Sequence, residues 1–377
     1  MKICFVNMPV EYYSPVAGGA ISTIIAELAA ALEATGHRVH VLTYTDRHMV
    51  HTAGRVIDLG PMPRPRKPRR ALDRLSRKVQ RRPYPAYPQY LRRVRSALRE
   101  VRPTPDVVVV FNDFAATPVL RRALPEAKVV VWLQNELPQH RQTDLAAPDA
   151  VVATSDYIRD HAIAGGVAAA KAHTILNGVN LDVFQPDGRE PHEVPRVLLV
   201  GRLDPNKGFH VALAALAEAR DAGCHFDTTL AGARWWYGAE EPSPYEQELF
   251  ASLEAIGGTY AGLVPRNRIA ALFREHDLAY VLSLSQEPFG LVVLEAMASG
   301  CAVIASPRGG IPQASGGAAL LVDPDDQAAV TAATIKVLND PAELARLQHE
   351  GLAHAAGASW RVRAESFVQL VRSLETS

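Results

Sequence analysis

The sequence predicts an α/β fold of two doubly wound domains, and three observations predict it. The chain has 377 residues, more than one ordinary domain and suited to two. Short β-branched runs alternate with turns and amphipathic helical stretches along most of it. That rhythm starts twice. The first series opens with an apolar run at residues 3–8, passes the adjacent Gly18 and Gly19, and enters a helical stretch over Ala20–Ala34. Runs follow at 38–44, Val107–Phe111, 129–133 and 150–154. The later ones are continuously apolar, the pattern of strands buried on both faces of a parallel sheet. The second series restarts at 196–201 and continues at Asp227–Ala231, 278–284 and 302–306, with helices at 245–256 and 289–299 between.

The boundary is expected in the polar stretch 182–195, which carries Pro186, Pro191 and Pro195. Domains are therefore expected at 1–185 and 194–358. Residues 359–377 should form a helix that packs against the fold, because Trp360, Phe367, Leu370 and Val371 recur on one face, and this helix is expected to cross back to the first domain. Residues 48–70, dense in Pro and Arg, are expected as a surface excursion of the first domain.

Composition narrows the class. No apolar run approaches the roughly 20 residues of a membrane-spanning helix, and the first residues read as a buried strand, not a secretory signal. Cys4, Cys224 and Cys301 lie in separate apolar segments without metal-ligand spacing, as core thiols in a reducing compartment would, so the expected location is the cytoplasm. Forty Lys and Arg balance forty Asp and Glu, yet residues 64–102 hold fifteen Lys or Arg against Asp73 and Glu100. This segment, with Pro83, Tyr84, Pro85, Tyr87, Pro88 and Tyr90 among its arginines, has two readings. It is either a first-domain loop with a basic helix at 91–101, or a contact for an anionic membrane surface or acceptor that would place the protein peripherally at the membrane. Nucleic acid is not an expected partner.

Four loops fall where ligands bind, beyond the carboxyl ends of strands. Gly18 and Gly19 let the backbone approach a ligand and leave N–H groups at a helix start, where negative charge is favoured; a plain turn is the alternative. In Gly201-Arg202-Leu203-Asp204-Pro205-Asn206-Lys207-Gly208, two cations five residues apart can converge on a diphosphate, each contact worth roughly 1.5–3 kcal/mol, or simply decorate the loop. In the segment 283–295, Pro288 suits the first turn of a helix, and Gly290 leaves N–H groups exposed to a phosphate. Glu287 and Glu295 are eight residues apart, about 12 Å by helix rise, so they suit different hydroxyls of an elongated ligand. Glu295 lies among Val293, Leu294, Ala296 and Met297, where a carboxylate needs a partner. The loop 306–313 either shapes the pocket or turns the chain. Trp235, Trp236 and Tyr237 either stack on a ligand or cap the core.

Together these segments resemble the retaining GT-B glycosyltransferases of family 4. The likeness runs from Gly18-Gly19 through Asn177-Gly178-Val179, the loop 201–208 and the Glu-x7-Glu element at Glu287 and Glu295 to the Trp360 helix. It implies a GT-B fold, two Rossmann-like domains facing a central cleft, and transfer of a sugar from a nucleoside-diphosphate-sugar to a small-molecule or lipid-linked acceptor. It also implies roles. Arg202 and Lys207 would neutralise the diphosphate with no metal ion, and Glu287 would contact the donor sugar. Glu295 would hold the ribose, and Val264 would lie near the base. Backbone N–H groups of Phe289, Gly290, Leu291 and Val292 would serve sugar and phosphate, with Gly18 and Gly19 approaching from the opposite domain. No cofactor is expected, the nucleotide-sugar being a co-substrate. The chain departs from the family pattern in three places. It has no histidine at 110–113 or 133–136, Asn180 stands where aspartate is commoner, and Gln313 where glutamate is commoner. A GT-B epimerase or phosphorylase and, in another class, a basic membrane-surface protein are the competing readings.

Overall fold

The structure, a computed structural model, describes residues 1–15, 19–46, 49–62, 87–137, 145–188, 192–234 and 241–375. The chain divides into two compact units, one of Met1–Leu176 with Trp360–Ser377, the other of Asn177–Ser359. The first crossing thus falls ahead of the 182–195 stretch.

In the first unit, β1 (Lys2–Val6), α1 (Ala20–Ala34), β2 (Arg38–Thr43), β3 (Arg55–Asp58), α2 (Tyr87–Leu98), β4 (Val107–Phe111), α3 (Thr117–Ala123), β5 (Lys128–Leu133), β6 (Ala150–Ala153), α4 (Asp156–Ala164) and β7 (Ala172–Thr174) follow in order. The sheet order is β3-β2-β1-β4-β5-β6-β7, every pair parallel. Helices cover both faces, which is why all five residues of β4 (Val-Val-Val-Val-Phe) are buried. In α1, Ile21, Ile24, Ile25, Leu28 and Leu32 recur at helical spacing and are buried. Across the sheet, Phe5, Phe111 and Trp132 form a row with ring centroids 6.0 Å apart at each step.

The expected surface excursion at 48–70 supplies the edge strand β3, so part of it belongs to the sheet. Helix α2 begins earlier than expected, and its tyrosines turn inward. Tyr90 donates to Asn7 O at 2.7 Å, and the Tyr87 hydroxyl is shared between the Asp113 carboxylate oxygens at 2.7 and 2.8 Å. Asp113 in turn accepts from Ala116 N–H. The rest of the basic segment, residues 64–86, lies outside the described residues, as do Pro191, Trp235, Trp236 and Tyr237.

The second unit runs β8 (Arg196–Val200), α5 (Phe209–Asp221), β9 (Asp227–Ala231), α6 (Pro244–Ala255), β10 (Thr259–Gly262), α7 (Arg266–Arg274), β11 (Leu278–Val281), α8 (Leu291–Ala298), β12 (Ala302–Ala305), α9 (Ile311–Ser315), β13 (Leu320–Leu321), α10 (Gln327–Asn339) and α11 (Pro341–Ala356). Its parallel sheet has the order β10-β9-β8-β11-β12-β13. Helix α12 (Trp360–Glu375) closes the chain and packs in the first unit, beside α1, with the Phe367 ring 5.4 Å from Trp132. All three cysteines are buried. Among the described residues no helix is long and apolar enough to cross a membrane.

Candidate active site

A doubly wound sheet opens a crevice where its strand order reverses, beyond the carboxyl ends of the two central strands. In the second unit those strands are β8 and β11. The loop 201–208 leaves the first and the loop 282–290 leaves the second, so two segments some eighty residues apart in sequence stand side by side. Leu284 N–H donates to Asn206 O at 2.8 Å and ties them. Gly208 makes the fit possible. It is left-handed, with φ 66°, and a Cβ there would lie 2.0 Å from Leu282 O.

The loops deliver two of the expected residues to one point. Lys207 Nζ donates to Glu287 Oε2 at 2.7 Å, and Ser283 Oγ donates to the same oxygen at 3.1 Å. Arg202 is separate from this pair. Its side chain is 52% exposed and its guanidinium lies 3.4 Å from Asp204. The loop 306–313 braces the segment ahead of α8, because Gly310 N–H donates to Glu287 O at 2.7 Å and Gly309 N–H to Gln286 Oε1 at 2.6 Å. Arg308 is held by Asp323 and Asp325.

The start of α8 differs from the sequence reading. Gly290 caps it with a left-handed backbone, φ 95° and ψ 59°, so the helix begins at Leu291 and Pro288 precedes it instead of filling its first turn. Glu295 is the fifth helical residue, about 6 Å of rise beyond Leu291 and not about 12 Å beyond Glu287. The Phe289 side chain is buried, and Leu291, Val292 and Val264 are half-buried.

Glu295 has a partner that spacing did not indicate. Its side chain is 5% exposed, and Arg266 grips both of its oxygens, Nη1 to Oε2 at 2.9 Å and Nη2 to Oε1. Arg266 is the first residue of α7 and lies 5.2 Å over the Phe184 ring.

In the first unit the strand order reverses between β1 and β4. Gly18 lies outside the described residues; Gly19 caps α1 without a side-chain bond. The helix start is covered by a carboxylate that sequence reasoning missed. Glu11 Oε2 accepts from Ser22 N–H at 2.9 Å, and a Cβ on Gly19 would lie 2.3 Å from Glu11 Oε1. Burial raises the Glu11 carboxyl to about 6, against the bond from Ser22, which lowers it. The two segments without a histidine, 110–113 and 133–136, meet at the end of β4, where Asn112 takes a positive φ of 52° and its side chain accepts Gln134 N–H at 2.7 Å. Among the described residues no group of three or more His, Cys, Asp or Glu is placed to hold a metal ion.

Three solved structures share the fold. Sucrose-phosphate synthase from Thermosynechococcus elongatus has a TM-score of 0.71 at 22% identity over 100% of this chain and 99% of that one. Anabaena Alr3699/HepE in complex with UDP and glucose has 0.70 at 20%, over 99% and 100%. The catalytic domain of starch synthase IV from Arabidopsis thaliana, bound to ADP and acarbose, has 0.75 at 14%, over 100% of both chains. At such identities they show the fold alone. Residues 18–183 match the family model described as Glycosyltransferase Family 4, and residues 182–353 match that described as Glycosyl transferases group 1. The chain belongs to the family 4 type of GT-B glycosyltransferases.

Among curated relatives, this glycosyltransferase is 30% identical to D-inositol 3-phosphate glycosyltransferase 1 of Catenulispora acidiphila over 61% of its own length and 58% of that protein's. It is 28% identical to spore coat protein SA of Bacillus subtilis over 55% of its length and 61% of the relative's. Glycogen synthase of Mycobacterium tuberculosis is 34% identical over 48% and 43%. The matched stretch thus spans less than two-thirds of these relatives' lengths. Both carboxylates of the Glu-x7-Glu element in this glycosyltransferase are paired with a cation from another element, Lys207 for Glu287 and Arg266 for Glu295.

Proposed function

We propose that this glycosyltransferase transfers a sugar, with retention at the anomeric carbon and without a metal ion, from a nucleoside-diphosphate-sugar to a small-molecule or lipid-linked acceptor. The observation that carries the reading is the meeting of Lys207, Glu287 and the start of α8 at the β8/β11 crevice. A helix start directs N–H groups toward an anion, and a lysine beside it supplies a full positive charge. Departure of a nucleoside diphosphate concentrates negative charge at that spot, so both groups favour the transition state over the ground state. Glu287, fixed by Lys207 and Ser283, is the acceptor for a donor-sugar hydroxyl, and Glu295 is the acceptor for the ribose. Arg202, more exposed, adds screened charge. The leaving phosphate can take the acceptor's proton, so no strong protein base is required. Solved structures of the same fold that are described with UDP, UDP-glucose or ADP support a nucleotide donor.

A thermal-shift screen of UDP-, GDP-, dTDP- and ADP-sugars tests the donor, since a ligand at a hundred times its Kd stabilises by about 2.7 kcal/mol. The Lys207→Ala variant should stay folded, lose most of that shift and lose at least about 100-fold in turnover. No shift with any donor, or turnover in Lys207→Ala within a few-fold of the parent, would reject the proposal.

A further inference from the structure

Glu295 occupies an unusual position for a ligand-binding carboxylate. It sits in the second turn of α8 between Leu294 and Ala296, with its side chain 5% exposed, and an arginine 29 residues away holds both its oxygens. A buried carboxylate without a partner is strongly disfavoured and would turn or draw in water; a fork-to-fork arginine satisfies it and fixes its plane. Arg266 is itself braced. Phe184 packs under its guanidinium at 5.2 Å, the Phe184 ring stands edge-on to Phe273 of α7 at 6.3 Å, and Arg274 at the end of α7 donates to Val183 O at 3.2 Å. The segment 183–184 and both ends of α7 therefore set where the guanidinium points.

We propose that Arg266 is a positioning residue of the donor site, acting through Glu295. The inference rests on the reading of Glu295 as the ribose acceptor. Each carboxylate oxygen has two lone-pair directions. Arg266 takes one on each oxygen and leaves each a second for a ligand hydroxyl. It also joins two parts of the site. Arg266 opens α7 two residues after Val264, so the loop leaving β10 and the carboxylate in α8 are held in one register. Nucleotide selection by this enzyme is then a property of the pair, and the arginine contributes although the ribose need not touch it. A lysine could supply the charge at this position but not the planar fork, so it would fix the carboxylate less well.

The test measures affinity for the nucleoside diphosphate, among UDP, ADP and GDP, that gives the largest thermal shift, and for its 2′,3′-dideoxy counterpart. The unmodified enzyme should prefer the ribose form by at least about 10-fold, because a site built for hydroxyls rejects ligands lacking them. Arg266→Met should shrink that preference at least about 5-fold through weaker binding of the ribose form, with the dideoxy form little changed. Arg266→Lys should recover part of the preference, and Arg266→Met with Glu295→Gln should lose no more than Glu295→Gln alone. A melting-temperature drop in Arg266→Met with the preference intact, or equal losses for both nucleotides, makes the pair a structural tie and overturns the proposal. Absence of any preference in the unmodified enzyme, or of binding by all three diphosphates, overturns the ribose reading and this inference with it. A preference that survives Arg266→Met overturns this inference alone.

Discussion

Replacing Glu11 with glutamine should stabilise the protein at pH 7.5 and leave its stability at pH 4 nearly unchanged. Two effects compete at this side chain. The start of α1 favours an anion by about 0.3–1 kcal/mol, and the bond from Ser22 N–H to a charged acceptor adds about 1.5–3 kcal/mol. Burial opposes them and wins, since the carboxyl is raised from 4.5 to about 6. At about 1.4 kcal/mol per tenfold change, that difference is about 2 kcal/mol against the ionised native state. Between pH 4.5 and about 6 the native chain binds more protons than the unfolded chain, so stability falls as pH rises through this window and is level above it. Glutamine keeps an oxygen for Ser22 and cannot ionise. The variant's advantage should therefore open from near zero at pH 4 to about 2 kcal/mol at pH 7.5. Urea denaturation from pH 4 to 7.5, with hydrogen exchange of the α1 amides to follow the first unit, measures it. An advantage that does not change with pH, or a variant less stable at pH 7.5, would refute the balance of burial over helix-start attraction.

Other substitutions test other elements. Gly208→Ala combines a left-handed backbone with a Cβ 2.0 Å from Leu282 O, so at least about 2–3 kcal/mol of stability should be lost, seen as a lower urea midpoint. Tyr87→Phe removes the hydroxyl shared by the buried Asp113 carboxylate and should lose about 1.5–3 kcal/mol by the same assay. Phe367→Ala empties the space beside Trp132 and should lose about 3–5 kcal/mol, with a shift in the Trp132 environment visible in near-ultraviolet circular dichroism.

Much of the architecture could be read from the chain because parallel strands buried on both faces leave uninterrupted β-branched runs. The runs at Val107–Phe111 and Asp227–Ala231 appear in the sheets with the same bounds. The strand Arg55–Asp58 was hidden because four residues at a sheet edge, with both ends exposed, carry too little apolar signal among their Pro and Arg neighbours. Tyr87 and Tyr90 looked like aromatics scattered through a cationic surface. Their inward rotation depends on Asp113 and Asn7, far away in sequence. The site followed the same division. Lys207 and Glu287 are legible because each sits on its own loop motif, while the bond between them comes from the strand order. Arg266 looks like any exposed cation at a helix start, and Glu11 like any loop acid. Both acquire meaning only when the fold sets them against Glu295 and Ser22. Pro288 misled because its preference for a first helical turn yields to the left-handed glycine two residues on.

The chain leaves its first unit after Leu176 and rejoins it at Trp360. During synthesis, then, the half that starts first finishes last. Everything between those two points can mature as a contiguous body while α1 and the Trp132 side of the earlier sheet wait for their covering helix. A nascent chain halted just short of that helix would hold one finished half and one with an open apolar flank, the surface a chaperone would meet first.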